Sequence, residues 1–149
     1  VINSVNSMDN ATPSYNFMCS LLLVRLHHYY DSKKYREVVE ASMNRAGKYI
    51  NQYPYAHSTA LLVNHYLSEG PLEIALASEE IESDFTDILR SYFFPFKIIA
   101  SSASGLDMPL MQDKKMLDGK PTAYICKNYT CKEPITNGND LKVALSSLK

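Results

Sequence analysis

The sequence predicts an α+β chain, mainly α, divided at Gly70-Pro71. Three observations carry that prediction. Before the dipeptide, apolar residues recur at helical spacing and the connections between periodic stretches are short. After it, the texture changes to short apolar runs around one amphipathic helix, the pattern of a βαβ unit. The composition, 46% hydrophobic and 21% charged, is that of a packed globular chain and not of a disordered one.

In the first part, Thr12-Pro13-Ser14 reads as a helix start, with Thr12 as N-cap and Pro13 at the first helical position. The stretch to about Tyr30 carries Phe17, Met18, Cys19, Leu21, Leu22, Leu23, Val24 and Leu26, apolar around most of its circumference. Such a helix is expected to be buried on several sides, with Cys19 in the core. Asp31-Ser32 caps a second helix whose apolar or small positions run 35, 38, 39, 42, 43, 46, 49, 50 and 53, ending at Tyr53-Pro54. A third helix carries Ala56, Ala60, Val63 and Leu67 on one face and stops at Gly70-Pro71. Residues 1–70 are therefore expected to be antiparallel helical hairpins.

In the second part, Leu72-Glu73-Ile74-Ala75-Leu76-Ala77 reads as a strand. Ser78 is the expected N-cap of the next helix, with Glu79, Glu80 and Glu82 in its first turn and Ile81, Phe85, Ile88, Leu89 and Tyr92 on its buried face. Pro95 ends that segment. Phe96–Ala100 is the second strand, joined to the first by a parallel crossover. Residues 101–119 read as loop, and Pro121–Cys126 as a third strand. A turn at Asn137-Gly138-Asn139 precedes a terminal helix with Leu141, Ala144, Leu145 and Leu148. Residues 71–149 are thus expected to form a small three-stranded α/β unit with two helices.

Charge and composition narrow the function classes. The 15 Lys and Arg balance the 16 Asp and Glu, and no basic stripe collects. Nucleic acid and anionic membrane surfaces are therefore not the expected partners, because both are held by concentrated positive charge. The longest aliphatic run, Leu21–Val24, is far short of the ~20 residues that cross a bilayer. No succession of basic, apolar and small residues opens the chain, and three cysteines do not make a disulfide framework, so a reducing, cytoplasmic setting fits best. The sequons Asn10-Ala-Thr12 and Asn128-Tyr-Thr130 then read as chance matches. With 5 glycines and no Gly-rich phosphate loop, no nucleotide cofactor is expected. No metal is expected either: adjacent His27 and His28 point about 100° apart on a helix, and His57 and His65 lie two turns apart.

Three stretches together resemble a known family. They are Asp9-Asn10-Ala11-Thr12-Pro13-Ser14-Tyr15-Asn16 at the head of a helix; Gly70-Pro71 with the βαβ segment ending in Tyr92-Phe93-Phe94-Pro95; and Leu117–Pro134, with Pro121-Thr122-Ala123-Tyr124-Ile125-Cys126 and Cys131-Lys132-Glu133-Pro134. In order and spacing they resemble the C-terminal end of the spermatogenesis-associated protein 20 family, the YyaL-like proteins of bacteria. The resemblance implies a parent protein with a thioredoxin-like domain and a helical toroid of the six-hairpin glycosidase and sugar-epimerase type. Residues 1–70 would then be hairpins of an incomplete α/α toroid. The chain would be a structural C-terminal segment, inactive alone, and the resemblance implies a parent protein that acts on or binds a carbohydrate. Tyr15 stands where the family usually has glycine in its Pro-Ser-Gly-Asn turn.

Candidate chemistry is sparse. In a toroid, the loop before an inner helix lines the pore, which makes Asp9, Ser14 and Asn16 pocket candidates, with His57 at the start of the third helix. The bland reading of Asp9 is a turn or capping residue. Glycoside chemistry needs two carboxyl groups facing each other across a sugar, whereas the other acids mostly decorate helix faces, as Glu37 with Glu40. Tyr29, Tyr30, Tyr35, Tyr49, Tyr53, Tyr55 and Tyr66 suit helix interfaces, or stacking on sugar rings. Cys126 and Cys131 are separated by Lys-Asn-Tyr-Thr; packing thiols are the favoured reading, a reversible disulfide the next. The alternatives to a structural segment are a thiol–disulfide module built on that pair and an interaction module built on the apolar first helix. That helix needs covering, and the expected partners are the remainder of a longer parent chain or a second copy.

Overall fold

The computed structural model describes residues 7–81, 83–105, 107–128 and 130–148. They fall into two compact units, Val1–Gly70 and Pro71–Lys149. The fold is α+β and mainly α.

The first unit holds α1 (Tyr15–Tyr30), α2 (Lys33–Gln52) and α3 (Ser58–Ser68). Its first helix starts later than Thr12-Pro13 suggests. The N-cap is Ser14, whose hydroxyl accepts from the Phe17 amide, while an Asn10 amide to Thr12 carbonyl bond of 2.9 Å folds the preceding residues into a turn. At its other end Asp31 enters the left-handed region (φ 47°) and redirects the chain into α2.

Helix α1 packs on both α2 and α3. Its buried residues, Phe17, Ser20, Val24 and His27, form one stripe at helical spacing. They meet a core of Val39, Ala46 and Ile50 from α2 and Thr59, Ala60, Val63 and Tyr66 from α3. The expectation of burial on several sides fails for the outer face: Met18 is 47% and Leu22 59% exposed. Cys19 is exposed as well, not core. Two flanking helices can cover only part of a helix circumference, and α1 is apolar beyond the arc they reach. In α2 the stripe is narrower than its periodicity suggests, since Val38 and Tyr49 face outward.

The second unit runs β1 (Leu72–Ala77), α4 (Asp84–Ser91), β2 (Lys97–Ser101), β3 (Thr122–Lys127), β4 (Thr130–Cys131) and α5 (Gly138–Ser146). The sheet order is β2-β1-β3-β4. β1 and β2 are parallel, with Ile74 opposite Ile99, as a βαβ crossover requires; β3 runs antiparallel to β1, and β4 to β3. Four strands replace the expected three because β4, at two residues, is too short for any periodicity to reveal.

Central strand β1 is buried on both faces at Ile74, Ala75, Leu76 and Ala77, which explains its unbroken apolar run. Ile74, Leu76, Ala123 and Ile125 share one face and pack with Phe85, Ile88 and Leu89 of α4 and Leu141 and Leu145 of α5. The two helices approach closely at Gly138, where a Cβ would lie 2.9 Å from the Ile88 Cδ1. Helix α4 begins at Ser83 and not at Ser78: the Ser83 hydroxyl and the Thr86 side chain form a reciprocal capping box, which leaves Ile81 54% exposed outside the helix. Asn137, read as a turn residue, is the N-cap of α5. The segment expected as loop contains 3-10 turns at Ser102–Ser104 and Pro109–Met111, and buries Met108 and Leu110.

Candidate functional site

Three of the four pocket candidates come together in the helical unit, as a staple. The Asp9 carboxylate accepts from the Ser14 amide through Oδ1 and from the Thr59 amide through Oδ2, each at 2.7 Å. Ser14 is the N-cap of α1, and Thr59 lies in the first turn of α3, so one side chain ties the starts of both helices. The Asp9 amide adds a 2.8 Å bond to the Ala56 carbonyl. Both carboxylate oxygens thus serve the backbone, which is capping work.

His57 is fully buried at the N-cap position of α3. Its Nδ1 donates to the Tyr53 carbonyl at 2.8 Å, its Nε2 lies 3.4 Å from the Ser7 hydroxyl, and its ring meets Phe17 edge-on at 6.5 Å. It cannot cap with its own side chain, and Asp9 supplies the acceptor instead. Asn16 is half-buried in the first turn of α1, where its carbonyl accepts from the Ser20 hydroxyl at 3.0 Å. Tyr15 is 56% exposed.

His27, which the sequence excludes only as a metal ligand, sits buried at the other end of α1. The His27 Nδ1 lies 3.1 Å from the Ser32 carbonyl, an acceptor, so Nδ1 carries the proton. Its Nε2 is buried with no hydrogen-bond partner among the described residues. Burial holds the His27 pKa below its ordinary 6.5, with the charges of His28 and Arg36 acting the same way against the Ser32 bond and Asp31. A histidine with a depressed folded pKa contributes stability that is full above the unfolded value and is lost as pH falls below it. The urea midpoint of the helical unit is therefore expected to drop between about pH 7.5 and about pH 5.5, above the carboxylate range. An unchanged midpoint would show that His27 protonates without penalty.

In the α/β unit Cys126 and Cys131 are joined by a disulfide, not held as separate packing thiols. They become neighbours because Asn128 adopts a left-handed φ of 51° in the turn between Lys127 and Thr130, which sets Cys126 directly opposite Cys131. Cys131 is exposed and Cys126 is 3% exposed.

Two further features lie outside the four pocket candidates, the second of them on the helix whose apolar circumference the sequence already marks. At the carboxyl ends of the parallel pair β1 and β2, the Ser78 amide donates to the Ser102 hydroxyl at 2.9 Å, that hydroxyl donates back to the Ser78 carbonyl at 2.8 Å, and Ser78 and Ser101 hydroxyls lie 3.3 Å apart. These groups satisfy one another and lock the strand ends beside an open depression of about 470 Å³ lined by Ser102, Asp107, Gln112 and Lys114. On α1, Met18, Leu21, Leu22, Arg25, Leu26 and Tyr29 line a shallow, almost wholly apolar groove of about 330 Å³. Their spacing is helical, so the groove runs along the outer face of one helix. No group of three or more potential metal-ligating side chains occurs among the described residues, and no described helix is long and apolar enough to cross a membrane.

No family model matches the chain, and no solved structure matches it. A curated human protein does: 22% of residues are identical over 149 aligned positions, which take in 94% of this chain. The chain is similar to spermatogenesis-associated protein 20. It spans 19% of the length of that relative. At 94% of the chain, the similarity extends through both units.

Proposed function

We propose that the chain is a structural segment of a longer parent protein, built into a helical array of the six-hairpin type, with no turnover of its own. The observation that carries this is the outer face of α1, where Met18 and Leu22 stand exposed along an apolar groove. An apolar stripe on a helix whose opposite face is already packed is what an inner member of a larger array presents. The occupant is further helix from the parent chain, a reading supported by a relative about five times as long as the stretch it shares with this chain. The carbohydrate chemistry implied by the six-hairpin resemblance is assigned to the rest of that parent. In this chain Asp9, the acid nearest the presumed pore, is occupied with two backbone amides.

The test is the behaviour of the chain with that face uncovered. It is expected to bind an environment-sensitive apolar dye and to associate without fixed stoichiometry in sedimentation velocity. Leu22→Lys is expected to suppress both, with a stability change within about 0.5 kcal/mol because the site is exposed. A monomer that binds no dye would refute the reading. A discrete dimer abolished by Leu22→Lys would replace the parent chain with a second copy as the occupant.

A further inference from the structure

We propose that Cys126 and Cys131 form a thiol–disulfide exchange site, in which Cys131 is the sulfur attacked and Cys126 the sulfur released. The proposal rests on the α/β unit alone and stands whether or not α1 is covered.

The first observation is what holds the hairpin apart from the disulfide. Lys127 pairs with Thr130, the Lys132 amide donates to the Ile125 carbonyl at 2.9 Å, and Ala123 and Ile135 exchange two backbone bonds at 2.8 and 3.0 Å. The segment after the turn is thus laced to β3 from Lys127 back to Ala123 by the main chain. A disulfide adds most when it closes a long loop between elements that nothing else joins. This one spans a sequence separation of 5 and links residues already opposite each other. Cleaving it leaves the ladder intact, with two thiols still facing across it and ready to close again.

The second observation is asymmetry. Exchange needs an incoming thiolate to reach one sulfur and a second sulfur to leave. Cys131, on the two-residue edge strand β4, is exposed; Cys126, on β3, is buried. The partner is therefore a dithiol that approaches the sheet edge. Its thiolate bonds to the Cys131 Sγ, the Cys126–Cys131 bond breaks, and Cys126 leaves as a thiolate that takes up a proton. The second thiol of the partner then attacks the mixed disulfide and releases Cys131. The pair gains two electrons and two protons, and the partner is oxidised to a disulfide. The reverse sequence passes the oxidation outward.

The test uses the full chain carrying Cys19→Ser, which removes the exposed third thiol. The folded protein is incubated at neutral pH with dithiothreitol, then with oxidised glutathione, and alkylated after acid quenching for mass analysis. The expected result is reduction without denaturant, recovery of the disulfide on oxidation, and an unchanged far-ultraviolet circular dichroism spectrum throughout. In single variants, Cys126→Ser is expected to take up glutathione on Cys131 about tenfold or more faster than Cys131→Ser does on Cys126. A bond that yields only in denaturant, a reduction that abolishes the spectrum, or equal rates for the two single variants would each overturn the proposal.

Discussion

Replacing Phe17 with alanine is expected to remove about 3–5 kcal/mol from the helical unit, the usual range for deleting a buried ring. Phe17 is 1% exposed and lies in a small cluster with Ala46, Ile50 and Ala60, fringed by Met43. Ala46, Ile50 and Ala60 are short or fixed by the helices they sit on, so the hole collapses only in part. The ring also meets buried His57 edge-on at 6.5 Å, a contact the substitution removes. A unit of this size holds roughly 4–10 kcal/mol in all, so much of its helical signal should be lost at room temperature. Urea unfolding followed at 222 nm reads the effect, with Leu22→Ala on the outer face as the control at under about 0.5 kcal/mol. Equal midpoints for the two variants would show that Phe17 is not a keystone of that core.

How far the sequence discloses this molecule depends on whether the decisive contact is local. The β1 run was legible because both faces of a central strand are buried, and burial leaves an unbroken apolar signature at Ile74–Ala77. The parallel crossover through α4 followed from spacing alone. The start of α1 was not legible, because Thr12 and Ser14 are both good caps and the choice falls to Asp9, which takes the Ser14 amide from five residues away. The start of α4 was misread for the same reason: Ser78 is drawn into the serine contacts at the strand ends, 23 to 24 residues distant. Apolarity alone also misplaced Cys19, since a helix apolar all round says that neighbours are needed and not where they stand.

The candidate site was half legible in the same sense. Asp9, Ser14 and His57 do converge, but the pattern could not tell a pore lining from a staple. The difference lies in the Thr59 amide, 50 residues from Asp9 in sequence. Cysteine spacing carries no turn geometry, so on sequence alone the disulfide ranks behind packing thiols; Asn128 in the left-handed region decides it. What the sequence did convey is the imbalance of α1, whose outward Met18 and Leu22 remain the best argument that this polypeptide was shaped alongside further structure.

Asp9→Ala is the substitution expected to cost next most, about 2–4 kcal/mol. It strands two part-buried amides, those of Ser14 and Thr59, at about 1–3 kcal/mol each before water returns to them. It also takes a negative charge from the start of α3, where the helix dipole favours one. Asp9→Asn keeps the shape and one acceptor oxygen and should lose roughly half as much. The pH dependence separates charge from shape. Burial pushes the Asp9 carboxyl up, but the amides of Ser14 and Thr59, the Thr59 hydroxyl and His57 together outweigh it and hold the pKa below 3.8. A depressed carboxylate contributes stability that is present above its unfolded pKa and is lost as pH falls through its folded one. The difference in urea midpoint between the native chain and Asp9→Asn should therefore be full at neutral pH and shrink as pH falls below 3.8 toward the lowered folded pKa. A difference that persists undiminished in acid would mean that the loop is held by fit and not by the charge, and the staple would lose its electrostatic basis.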